Sequence, residues 1–351
     1  MNLKLILTFD HELPLGGVRS TYKEALFDPT KRLFNLADDL KVPLVLFTDV
    51  LCALRFRDWD FENFYKPYTE QLQEAVRLDH DIQLHLHPHW LSSRFENNTF
   101  IPSKEYKLAD FSHHPAYTIE KIIKMGVEFL QEICTIADPA YRCSAFRAGG
   151  YNIELNTAEI FAGLFRNGIR FDSSIIKGYY FRSGLSEVNC QNMPAVPNWY
   201  IGNDGNIRKE ATSGVFEVPI ASIPKTPFEI PTRFKLKKLA SQAPNDHGFQ
   251  VHEGNPSDLI SRIKMLFSAR MLSFDNYTLS LDYLMKILDY NVRKYSKYDT
   301  AILSISGHPK SMGDYSFSLM ESFVRAVQQE YPGVEFTSFK KLALENETLK
   351  K

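Results

Sequence analysis

Three histidines fall within five residues, His85-Leu86-His87-Pro88-His89, where a run of strand-like residues ends. Asp81-Ile82-Gln83-Leu84 leads into them. Residues two apart on a strand share a face, so His85 and His87 point the same way. Pro88 cannot donate to a ladder and ends the pairing, which lets His89 come round from the loop. Two imidazoles brought together at a strand end suit a divalent ion, zinc above all. The bland alternative is that one or two of these rings only bond loop backbone; three in so short a window argue for a metal.

A second cluster stands at the N-terminus, in Leu7-Thr8-Phe9-Asp10-His11-Glu12. Alternation puts Thr8, Asp10 and Glu12 on one face, with Leu3, Leu5, Leu7 and Phe9 on the other. Two carboxylates on one side repel unless a cation sits beside them. Taken alone this is a polar strand exit; with the histidines it supplies the carboxylate of a His₂-carboxylate site that leaves a position open for water. Phe146-Arg147-Ala148-Gly149-Gly150-Tyr151 places an arginine where a strand meets a glycine turn, and an arginine next to Asp10 would hold that carboxylate ionised. Ile305-Ser306-Gly307-His308-Pro309 puts one more histidine beyond a late strand.

Short apolar runs alternate with helical patterns around these segments. Strands are expected at 3–9, 42–48, 81–87, 143–147, 169–171, 215–220, 300–306 and 334–336. Helices are expected at 29–40, 68–78, 118–136, 156–167, 256–272, 279–295 and 317–331. The alternation implies a mainly parallel α/β sheet or barrel, with all four chemical segments at C-terminal strand ends, the edge where barrel active sites are built. From about 179 to 250 the Pro, Gly and Asn density rises, which reads as loop elaboration on one barrel domain spanning 1–351.

Composition excludes several classes. With 41 Lys+Arg against 42 Asp+Glu the formal net charge is −1, and no long basic block points to nucleic acid or an anionic membrane. Cys52, Cys134, Cys143 and Cys190 are scattered, which is neither a disulfide framework nor a thiolate zinc site. The apolar run before Asp10 is too short for a signal-peptide core and no stretch approaches the ~20 apolar residues of a membrane span, so the chain reads as soluble and cytoplasmic.

The order of these segments resembles the polysaccharide deacetylase superfamily, with the NodB-homology fold of carbohydrate esterase family four. Its members carry Thr-Phe-Asp-Asp, then His-x-x-x-His, an arginine-led turn and a late Leu-x-x-His. The counterparts are Thr8 to Glu12, His85 to His89, Arg147 to Tyr151 and Ile305 to His308. The resemblance implies a distorted (β/α) barrel of seven or eight mainly parallel strands. It makes Asp10 the general base, Glu12, His85 and His89 the ligands of one divalent metal, and His308 the general acid. Arg147 would pair with and orient Asp10. The second aspartate of the family is displaced by one place and replaced by Glu12, and glycines stand where the arginine turn usually has prolines. His11 has no counterpart, and His87 falls behind the ligands. The family's Asp-x-x-x-Trp motif has only Asp172 and Trp199 as candidates by neighbourhood.

The function these expectations add up to is removal of an acetyl group from a sugar. The expected substrate is an N-acetylated nucleotide- or lipid-linked precursor of a surface glycan, bound against Trp90, Tyr151 and Trp199. Other readings stay open: hydrolysis of another non-peptide amide, a binuclear amidohydrolase, or an inert glycan-binding barrel. A binuclear site would need a bridging lysine and a late catalytic aspartate that the sequence does not place.

Overall fold

The computed structural model describes residues 1–96, 99–225, 258–275 and 280–349. Its main sheet contains β1 (Asn2–His11), β2 (Leu44–Asp49), β3 (Asp81–Leu86), β4 (Ala145–Ala148), β5 (Phe171–Asp172), β6 (Trp199–Ile201), β7 (Val215–Glu217), β8 (Thr300–Ile305) and β9 (Glu335–Phe336). The order is β6-β7-β5-β4-β3-β2-β1-β8, with β9 also beside β1. Only the β6–β7 pair is antiparallel. Beyond β7 the chain bridges back to β8, because Ser304 N–H donates to the Pro219 carbonyl at 3.1 Å and Ala221 N–H to the Ser304 carbonyl at 2.9 Å. The ends of the curled sheet therefore meet, and the architecture is the expected mostly parallel barrel.

Strand alternation separates two cores. Leu3, Leu5, Leu7 and Phe9 face the helices in the large outer core. Ile6, Val45, Phe47, Ala145, Phe171, Val218 and Ile302 form a second cluster with Phe339 and Leu342 of the C-terminal helix Phe339–Leu349. That cluster is the apolar floor of the barrel. Both faces of the strands are buried, as parallel sheets require. The next inward positions, Thr8 and Asp10 on β1 and Arg147 on β4, sit above the floor, and the Arg147 guanidinium lies 4.2 Å from the centre of the Phe47 ring.

The expected helices form with small shifts at their ends. Asp28–Leu40 begins with Pro29 in its first turn and stops at Lys41, whose φ of 54° is left-handed. Ile119–Cys134 starts on Thr118, whose hydroxyl accepts the Lys121 N–H at 3.2 Å. Its Gly126 packs on β3, where a Cβ would lie 2.6 Å from Leu84. Among the described residues, Val50–Trp59, the short His89–Ser92 and the C-terminal helix escape the sequence pattern. The helix expected over 256–272 is shorter, Leu259–Leu266, with Pro256 and Ser257 outside the described residues. After it the backbone turns extended because partners are waiting: Leu272 N–H bonds the Ala221 carbonyl and Ser306 N–H bonds the Leu272 carbonyl. Of the irregular 179–250 stretch, the described part holds β6, β7 and a hairpin of Tyr180–Arg182 with Glu187–Asn189; 226–250 lies outside the described residues.

Candidate metal and hydrolase site

Register levels the chemical side chains at one edge. Phe47 is opposite Asp10, Asp49 opposite His85, and His85 opposite Arg147, all at C-terminal strand ends. Arg147 is fully buried and spends its donors locally. Nη1 donates to Asp10 Oδ1 at 2.7 Å, Nη2 to Thr8 Oγ1 at 2.8 Å and Ser173 Oγ at 3.1 Å, and Nε to the Ser173 carbonyl at 2.9 Å. Burial alone would raise the Asp10 pKa, but Arg147, with His85 and His308, holds it far below the usual carboxylate range.

Glu12, His85 and His87 come together as the one group of three potential metal ligands among the described residues. His85 Nδ1–H donates to the Arg147 carbonyl at 2.9 Å. That leaves Nε2 facing Glu12 Oε2 at 3.2 Å and His87 Nε2 at 3.1 Å. His87 Nε2 also contacts Glu12 Oε2. Ligands 2.0–2.1 Å from a tetrahedral ion stand about 3.3 Å apart, and two of the three spacings in this donor set match that, with His87 and Glu12 standing closer. The carbonyl behind His85 fixes the tautomer a metal ligand needs. Burial would raise the Glu12 pKa, yet Lys310, whose Nζ lies 2.8 Å from Oε1, and the two histidines pull it well below normal.

His89, expected as a ligand, is not in this group. Its buried ring lies between Trp90 and Tyr106, centroids 4.8 and 5.1 Å away. Neither ring nitrogen makes a hydrogen bond, although the Leu15 backbone is near. Burial, then His87, pushes its pKa well below the usual value. The pleat explains the exchange, because His85 and His87 share a face whereas His89 opens a short helical turn, His89–Ser92. Gly149 makes room for His87: a Cβ there would sit 2.5 Å from the Leu86 carbonyl oxygen and 2.7 Å from His87 Nδ1.

His308 reaches the same edge from β8 and is 15% exposed, so it stands toward solvent. Its Nε2 faces Asp10 Oδ2 at 3.2 Å, and its Nδ1 donates to Asp275 Oδ2 at 3.0 Å. Burial lowers its pKa, but Asp275 and Asp10 outweigh that and carry it to about 10. Neither Asp275 nor Lys310 was found from sequence. Asp275 lies three residues beyond the segment whose pattern reads as helix, and Lys310 follows His308 by two residues, the spacing that signals it.

Tyr151 is at the site, with its hydroxyl 2.8 Å from Ser306 Oγ. The two tryptophans are not. Trp90 is buried and donates from Nε1 to Asp49 Oδ2 at 2.7 Å. Trp199 is buried under Lys177, whose Nζ is 4.6 Å from its ring centre. Neither offers a face to a sugar. Asp172 alternates away from Ser173 and Arg147 and takes the Ser174 hydroxyl at 2.7 Å. His11 also turns away, bonding Gln71 Oε1 at 2.9 Å, and burial lowers its pKa to about 4.

No protein-family model matches the sequence, and no curated protein is significantly similar to it. Solved structures do match in shape. A protein assigned as a polysaccharide deacetylase from Mycobacterium smegmatis shares 13% identity over 99% of this chain and 91% of its own, with a TM-score of 0.50. A 4-alpha-glucanotransferase from Thermococcus litoralis shares 10% identity over 97% of this chain and 40% of its own, TM-score 0.51. Puue allantoinase aligns at 12% identity over 97% and 89%, TM-score 0.49. The chain has the curled, mostly parallel (β/α) barrel of the polysaccharide deacetylases.

Proposed function

We propose that the chain is a metal-dependent hydrolase of a non-peptide amide, which removes an acetyl group from an amino sugar and carries the whole site on one barrel domain. The observation that supports this is the meeting of Glu12, His85 and His87 beside two charge pairs, Asp10–Arg147 and His308–Asp275, on one barrel edge. Glu12, His85 and His87 are the proposed ligands, with His87 taking the place expected of His89. A divalent ion held there, zinc by proposal, would supply a Lewis acid that polarises the amide carbonyl and makes a water more acidic.

The remaining chemistry belongs to the chain. Arg147 grips Oδ1 of Asp10 and keeps the carboxylate ionised, while Oδ2 faces His308 Nε2 at 3.2 Å and would exchange that contact for the proton of the attacking water. Asp275 holds His308 by Nδ1 and favours its protonated form, so Nε2–H is the proton donor for the leaving amine. Lys310 holds Oε1 of Glu12, which leaves Oε2 as the ligand atom. Tyr151 is the proposed substrate contact. The proposed substrate is a nucleotide- or lipid-linked amino sugar, and it has no aromatic wall from Trp90 or Trp199, since both are buried.

Acetate release across a panel of N-acetylated nucleotide- and lipid-linked sugars tests the reading, with chelator as inhibitor. Asp10→Asn and His308→Ala should each lose about 100-fold or more in turnover, assayed where circular dichroism shows the variant still folded. No acetate from folded, fully metallated protein would send the reading to another amide. Glycan binding without metal, unchanged in Asp10→Asn, would make the barrel non-enzymatic.

A further inference from the structure

Helix Leu259–Leu266 is turned the wrong way round for a helix packed on a barrel. Its buried side is Ser261, whose hydroxyl lies 3.0 Å from the Tyr180 hydroxyl. At about 100° per residue, Leu259, Ile260, Ile263, Leu266 and Phe267 fall in a sector of about 120° on the opposite side. These side chains are 71, 67, 49, 43 and 50% exposed. Arg262 and Lys264 border that sector on its two edges, and no acidic residue occurs from Leu259 to Phe267. Arg182 stands at the helix N-terminus, 3.7 Å from Asp258, and Arg270 follows the C-terminus. A formal net charge of −1 averages this local excess away.

An exposed apolar face bordered by cations on both edges matches one surface chemistry closely. We infer that helix Leu259–Leu266 docks on an anionic lipid surface, its apolar sector entering the headgroup boundary while Arg262 and Lys264 meet lipid phosphates. Long cationic side chains suit such edges, since their stems cover apolar surface while their heads stay in water. A protein partner of ordinary composition would not need positive charge on both borders. The inference is independent of the metal site, and its failure leaves the proposed hydrolase untouched.

Co-sedimentation of the full chain with vesicles tests it, comparing pure phosphatidylcholine with a mixture containing about one third phosphatidylglycerol. Wild-type protein should partition onto the anionic vesicles and little onto the neutral ones, and salt should weaken it. Arg262→Glu/Lys264→Glu should cut partitioning at least about ten-fold, as two headgroup-facing cations imply. Ile260→Glu/Ile263→Glu should abolish it with the circular-dichroism melt unchanged. Wild-type protein that stays in the supernatant overturns the inference. Light scattering then says what covers the face: a dimer that Ile260→Glu/Ile263→Glu splits means a second copy, and a monomer that the same variant destabilises means this chain itself. Equal binding to both vesicle types also overturns it.

Discussion

Arg147→Met tests whether the buried ion pair is the keystone of the site. The side chains are of similar length, so the change removes charge and four hydrogen bonds more than volume. Arg147 is wholly buried and Asp10 nearly so. At an effective dielectric near 20, unit charges about 4 Å apart interact by about 4 kcal/mol. Removing one partner of such a pair typically costs about 3–5 kcal/mol, because the other charge is left buried alone. Urea unfolding at pH 7 in the presence of chelator should therefore show Arg147→Met destabilised by about 3–5 kcal/mol. Asp10→Asn should be costly too, since it strands the guanidinium. The double variant strands neither, and should be more stable than the sum of the single losses predicts by about 3–4 kcal/mol. Losses that add to within about 0.5 kcal/mol would refute the reasoning, since residues that do not interact behave that way.

Elemental analysis should find about one divalent ion per chain in wild type and in His89→Ala, and none in His85→Ala/His87→Ala; full occupancy in that double variant would sink the ligand assignment. Gly149→Ala should lower metal occupancy as well, because its methyl would need space held by His87 and the Leu86 carbonyl. The acid limb of stability should carry a contribution from His80. Burial lowers its pKa from 6.5 to about 4, and its Nδ1 accepts the Leu44 N–H at 3.4 Å. Between those values the unfolded chain binds the extra proton, so the His80 contribution is complete above pH 6.5 and is lost as pH falls through about 4. The loss is at most about 3 kcal/mol. His80→Gln should flatten that limb in denaturation midpoints measured from pH 7 to pH 4; parallel curves for variant and wild type would rule the contribution out.

Much of this was written in local pattern. The two-residue period of Leu3 to Glu12 placed apolar side chains outward and Thr8 and Asp10 inward, because the pleat allows nothing else. The same period put His85 and His87 on one face, and the strand-helix alternation implied a parallel barrel with its chemistry at one edge. Arg147 and His308 belonged there by position alone. The proposed choice of His87 over His89 did not, because it rests on a short helical turn after Pro88 and on the space Gly149 leaves across the sheet. Nor did Asp275, since residues 269–272 just before it read as helix locally and the segment becomes extended only when the backbones of Gly178, Ala221 and Ser306 pair with it. The tryptophans went the same way: type marked them as a sugar wall, but Asp49 and Lys177 on neighbouring segments draw their rings into the core. Periodicity is local and can be read along the chain, whereas ligand identity, charge partners and burial are set by segments that meet only after the sheet has curled.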